Sequence, residues 1–337
     1  MASLELLQYI MSIDTTATPN PDVANWSETR WNGCWNAEAG VGLYLHAGRY
    51  REDLDMWWAQ VIAYLPGDEL CVDRIWGRNT NPAGVTIAGL DITMTEDGWR
   101  ARYDGVGQLT TIGALALAPQ GAGVPVRSFG FEVEATGVQP VWDMFAGVTA
   151  RLDFAGDAHI QQAYATSGSL TVGDAQHDLG GIGFKDHSSG ARSFTRWYAH
   201  RFMLIVAEDW ACHAVVFYSP DGVAQPPIGA FFRDGEQRKV ARFELPLMED
   251  SAGGPVHGEA VIEIEGGETF TFASELVHAF PMTMTMDNEY VNGVDWESAA
   301  DNVVLIEGKG KLVAPDGSVA WCFHERSALR SLIDRPR

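Results

Sequence analysis

Ser128-Phe129-Gly130-Phe131-Glu132-Val133-Glu134-Ala135 alternates strictly: Phe129, Phe131 and Val133 fall on one side, and Gly130, Glu132 and Glu134 on the other. A period of two is the period of a strand with one face inward and one face wet. Working outward, residues 87–94 read as another strand, turn at Glu96-Asp97-Gly98, and return through Trp99-Arg100-Ala101-Arg102-Tyr103. Residues 43–65 read as two paired strands ending at the breaker Pro66-Gly67-Asp68, and residues 148–154 as one more. The same pattern continues past the middle of the chain. Strands are expected at 202–206, 210–218, 228–232, 238–243, 258–265, 268–273, 303–313 and 319–324, with turns such as Ser219-Pro220-Asp221-Gly222 between them. Helical spacing is confined to Leu4, Leu7 and Ile10, which predict a short N-terminal helix. The chain reads as all-β, built from antiparallel meanders.

Its 337 residues suffice for two domains. An apolar strand that opens on Trp57-Trp58 and closes on Tyr64-Leu65-Pro66 is echoed by one running from Trp210 to Tyr218-Ser219-Pro220. This echo suggests two similar β domains. The division is placed near residue 165, giving domains 1–165 and 166–337.

Composition removes several function classes. A net charge of -22 and a pI near 4.6 leave no basic footprint for nucleic acid, and an anionic membrane surface would repel the chain. The four cysteines (Cys34, Cys71, Cys212 and Cys322) have neither metal-ligand nor disulfide-framework spacing, which fits reduced thiols in the cytoplasm. Residues 1–13 contain Glu5 and no basic residue, unlike a signal peptide, and no apolar run reaches the roughly 18 residues of a membrane helix. Twelve Trp, fifteen Phe and nine Tyr are more aromatic surface than a β core requires, and they favour a pocket for an apolar ligand.

The chemistry concentrates in Gly181-Ile182-Gly183-Phe184-Lys185-Asp186-His187-Ser188-Ser189-Gly190. It places a carboxylate, an imidazole and hydroxyls between glycines, and a loop is expected there. If Asp186 is buried among aromatics its pKa rises and it becomes a Brønsted acid; His187 would handle water. On extended backbone the two side chains point to opposite faces, so a direct pair needs a bend. The same residue types also suit a plain turn with a solvated Lys185-Asp186 pair, and residue types alone leave both readings open. The remaining histidines show no metal-ligand spacing, and no nucleophile elbow or phosphate loop is present.

Together, His159-Ile160-Gln161-Gln162, Gly168-Ser169-Leu170-Thr171-Val172-Gly173-Asp174, Gly181-x-Gly183-x-x-Asp186-His187-Ser188-x-Gly190 and Trp197 resemble the central region of the two-domain lipocalin-like proteins. That group includes the AttH-like proteins and the carotenoid 1,2-hydratases (hydroxyneurosporene synthases), with kievitone hydratase and decalin-forming Diels-Alderases more distant. The resemblance implies two tandem calycin-type β-barrels, an apolar pocket and no required cofactor. It also implies acid-catalysed hydration or its reverse on an isoprenoid- or polyketide-like molecule, or isomerisation or cyclisation in the same pocket. A carrier that binds such a molecule unchanged is the rival from another class. Carried onto this chain, the resemblance implies Asp186 as the proton donor with His187 in support and Trp197 and Tyr198 against the substrate; Ser188, Trp142 and Gln162 are further candidate substrate contacts. Two positions depart from the group: Lys185 stands where Arg is common, and Ser189 where Trp is usual, which reshapes the pocket. The expected partner is a hydrophobic small molecule; whether the chain forms a homodimer is left open.

Overall fold

The computed structural model describes residues 14–121, 123–146, 156–245, 257–286 and 289–335. The strands form two antiparallel sheets. The first holds β1 (Trp26–Asn36), β2 (Val41–Tyr50), β3 (Asp53–Tyr64), β4 (Glu69–Arg78), β5 (Gly84–Ile87), β6 (Leu90–Met94), β7 (Gly98–Thr111), β8 (Val126–Gly137), β9 (Trp142–Asp143), β10 (Ala158–Val172), β11 (Ala175–Asp178) and β12 (Gly181–Ala191). The second holds β13 (Ala199–Val206), β14 (Trp210–Tyr218), β15 (Ile228–Arg233), β16 (Glu236–Glu244), β17 (His257–Ile264), β18 (Glu268–Met284), β19 (Tyr290–Asn292), β20 (Val303–Val313) and β21 (Val319–Leu329).

Each sheet closes into a ring of 8 strands. In the first, β1, β2, β3, β4, β7, β8, β10 and β12 follow one another and β12 pairs back onto β1. The second runs β13 to β18, then β20 and β21, and closes β21 onto β13. Closure leaves no open edge within the ring, and most strands consecutive in sequence pair in space. These are two tandem lipocalin-like barrels. The alternation around Phe129 holds: Phe129, Phe131, Val133 and Ala135 are buried, with exposed or half-buried residues between them. Each large apolar side chain so buried contributes about 1.5–3 kcal/mol.

Two expectations change. Residue 165 lies inside β10, where Ala165 pairs with Ile182 on one side and Thr136 on the other, so no domain can end there. The chain divides instead into residues 1–63, 71–109 and 125–192, and residues 64–70, 110–124 and 193–337. The Trp-to-Tyr-x-Pro echo does not mark equivalent strands either: β3 is third around its ring and β14 second. The expected N-terminal helix and the strand at 148–154 lie outside the described residues. A short helix appears elsewhere, α1 (Ile112–Leu117), with the Thr111 hydroxyl accepting from the Ala114 amide at 3.2 Å.

Candidate functional site

The segment 181–190 is not a loop. It forms β12 and lies between β1 and β10, hydrogen-bonded on both sides. Its glycines serve close packing. A Cβ on Gly181 would meet the Trp35 carbonyl oxygen at 2.2 Å, and Gly190, at φ +126°, faces the Asp157 amide. Extended backbone then separates Asp186 from His187, one on each face of the sheet.

Register assembles the Asp186 face. Asp186 is opposite Trp31 on β1 and Gln161 on β10; Ser188 is opposite Thr29 and His159. Asp186 Oδ2 accepts from Gln161 Nε2 at 2.7 Å and lies 2.5 Å from His159 Nε2. Both Asp186 and His159 side chains are 15 % exposed. Burial alone would push the Asp186 carboxyl up. The His159 ring, the two hydrogen bonds and nearby Arg192 outweigh it and hold the group below the ordinary aspartate value of 3.8. The burial expected for an Asp186 acid is present, but its upward push on the carboxyl is opposed by these partners. The other ring nitrogen, His159 Nδ1, is buried with no hydrogen-bond partner among the described residues.

Around this pair stand Trp31 and Phe184, with ring centroids 4.4 Å apart, and Trp31 and Tyr44, 5.6 Å apart. His46, across the ladder from Trp31, has Nδ1 3.0 Å from the Tyr44 hydroxyl and its ring edge-on to Trp58. Burial drives the His46 pKa down to about 3, against the pull of Asp186, so the ring is neutral. Ser188 lies 3.2 Å from the Thr29 hydroxyl and accepts from Arg192, whose other nitrogen reaches Thr29 at 3.2 Å.

The opposite face of β12 is an ion-pair network. Lys185 donates to Asp14, and His187 Nε2 reaches Glu28 Oε1 at 3.0 Å. Arg30 lies 3.6 Å from Asp14, and Arg49 2.8 Å from Glu28. These side chains are all buried. Burial opposes ionisation of Asp14, but Lys185, His187 and Arg30 outweigh it and hold the carboxyl far below the ordinary range. Glu28 is lowered in the same way, with burial opposed by His187 and Arg30.

Of the residues singled out from sequence, Ser188 and Trp142, the latter opposite Gln161 on β9, share the Asp186 face. His187 lies on the other face. Gln162 also turns away: it donates to the Gln139 carbonyl at 2.7 Å and accepts from the Tyr164 hydroxyl at 2.7 Å. Trp197 and Tyr198 belong to the second unit; Trp197 Nε1 donates to Ser327 at 3.1 Å, and the Tyr198 carbonyl accepts from Leu329. His159 and Gln161 entered from sequence only within the resemblance, with no role assigned, and His46 and Arg192 not at all. The signal for the first two was an i, i+2 polar pair on a strand. Among the described residues no cluster of His, Cys, Asp or Glu could hold a metal ion, and no helix is long and apolar enough to cross a membrane.

Solved structures share this architecture. A protein assigned as AttH from Nitrosomonas europaea has 13 % identity and a TM-score of 0.59, with 92 % of this chain and 94 % of that one covered. CghA, crystallised with Sch210972, has 10 % identity and a TM-score of 0.51, with 96 % of both chains covered. Kievitone hydratase from Nectria haematococca has 11 % identity and a TM-score of 0.49 over 94 % of each chain. The first two establish the two-domain lipocalin-like fold. No curated protein matches the sequence. The family described as "Domain of unknown function (DUF7064)" matches residues 12–299, and this chain therefore belongs to it.

Proposed function

We propose that this protein is an enzyme that moves a proton on a hydrophobic, isoprenoid- or polyketide-like molecule, most simply to add water across an alkene or to remove it. The observation that carries this reading is the His159–Asp186 pair, 2.5 Å apart with His159 Nδ1 left without a partner. A histidine held through one nitrogen by a carboxylate has a fixed orientation, which aims its other nitrogen. The donor role expected of Asp186 passes to His159, and Asp186 becomes its positioning partner. In hydration, the His159 imidazolium gives one proton to an alkene carbon, and water forms the C–O bond at the other carbon. The proton lost by that water restores the pair or leaves to solvent, so the reaction balances without an electron carrier. Trp31, Phe184 and Tyr44 supply π faces for the developing cation.

CghA and kievitone hydratase lend the reading its substrate class by analogy of fold, which does not by itself assign function. The test is incubation of the apolar molecule that co-purifies with the chain, or of farnesol and geranylgeraniol as probes, in H₂¹⁸O and in D₂O. Uptake of both labels is expected for hydration. Deuterium without ¹⁸O would indicate an isomerase or cyclase, and uptake of neither a carrier.

A further inference from the structure

The second barrel contains a buried guanidinium whose nitrogens meet no hydrogen-bond acceptor among the described residues. Arg326, on β21, is 0 % exposed, and among the described residues none of its three guanidinium nitrogens has a hydrogen-bond partner. Two residues back on the same face, His324 is 2 % exposed and its Nε2 is also unpartnered. Directly across the ladder, Arg201 on β13 brings a second guanidinium, which donates to the carbonyls of His200 and Ser327. The carboxylates closest in register, Glu325 and Glu307, fall on the other face of their strands, and Glu325 is already 2.7 Å from His200.

Burying a charged group without an acceptor is among the costliest arrangements a core can hold. The surroundings make it more so. Along β13 and β21 the Arg201–Arg326 rung lies between two apolar clusters, one containing Ala199, Ala328 and Ile306, the other Met203, Ile205 and Cys322. Burial and the neighbouring Arg201 pull the Arg326 pKa down to about 9, which still leaves it charged at neutral pH. Burial and the two arginines keep His324 neutral, so its Nε2 can carry a proton to donate.

We propose that this rung is a binding subsite for an organic carboxylate carried on an apolar body, in a barrel separate from Asp186. The carboxylate takes two parallel N–H donors from Arg326, as guanidinium forks do, and a third from His324 Nε2. The apolar body then lies against the aliphatic cluster on one side of the rung. A bare inorganic anion would meet the same donors but leave apolar walls around its remaining hydration sites. Met203, opposite His324, is the flexible side chain whose rotation would make room.

The test is isothermal titration of the full chain with sodium decanoate, decan-1-ol and sodium acetate, each below micelle-forming concentration. Decanoate is expected to bind one to one, with decanol at least tenfold weaker and acetate showing no saturable heat. R326M should abolish decanoate binding, and R326K should weaken it at least tenfold because it keeps the charge but loses the fork. Circular dichroism and the melting curve of each variant establish that it is folded; R326K carries the test if R326M is not. Four results would overturn the proposal: no decanoate binding, which would mean water fills the site; decanol binding as tightly as decanoate; acetate binding as tightly as decanoate; or unchanged affinity in a folded R326 variant.

Discussion

On β12 in the first barrel, a carboxylate meets two side-chain donors within 2.7 Å; on β21 in the second, a guanidinium meets no acceptor among the described residues. Both groups sit in closed eight-stranded rings, in register with an aromatic or basic residue on the next strand. The contrast separates two uses of buried charge. Asp186 is committed to His159 and Gln161, and on the proposed mechanism the proton-transferring atom beside it belongs to His159. Arg326 is uncommitted, and an unfilled buried donor of that kind is completed only by something that enters.

The largest effect should come from the committed side. H159Q and D186N are each expected to lower the rate of label uptake by a factor of about 100 or more, the usual contribution of a positioned acid–base group, while the Arg326 fork remains intact. Equal loss in R326M would collapse the distinction between the two barrels. Next is the reverse face of β12, where K185M leaves Asp14 without its amine. Breaking a buried pair in this way costs about 3–5 kcal/mol, so the urea midpoint should fall sharply. R326M should do the opposite, raising stability by about 1 kcal/mol or more, because it removes a buried charge that has no partner.

The smallest effect concerns pH. Below 6.5 the unfolded chain protonates His46, whereas the folded chain refuses that proton until about pH 3. The unfolded state therefore binds more protons in that window, and stability falls as the solution is acidified. H46Q should remove up to about 1.4 kcal/mol per pH unit from that slope between pH 6.5 and 4. H324Q shares the sign, since His324 is also held well below its ordinary value. A steeper slope in either variant would contradict the neutral assignment. Below about pH 4 the lowered Asp14, Glu28 and Asp186 add a further loss of the same sign, because each is more readily protonated in the unfolded chain.

The strands were legible because alternation such as that of Phe129, Phe131 and Val133 is a local signal. The motif 181–190 was legible as a concentration of chemistry but was misread as a loop. Its glycines suggested a turn, whereas they relieve contacts with Trp35 and Asp157 that only the folded neighbours reveal. Register was the information missing from the sequence. Gln161, opposite Asp186, faces the site, while Gln162, one residue on, bonds Gln139 instead, and a shift of one residue exchanges such roles. The salt partners of Lys185 and His187 were out of reach for a related reason, because Asp14 lies 171 positions from Lys185 in the chain. The unit boundary failed at residue 165 because a strand shared between two neighbours carries no compositional mark.

On the proposed mechanism Asp186 remains a carboxylate throughout and the proton is passed by its partner, His159. Carbon-13 NMR of the aspartate carboxyl groups over a pH series, with the Asp186 signal assigned by its disappearance in D186N, measures this directly. The account requires the signal to stay in its ionised position at neutral pH and to titrate only below the ordinary aspartate value of 3.8. Titration of Asp186 between about pH 6 and 7, where a buried acid would lie, would contradict it and return the donor role to the carboxyl group.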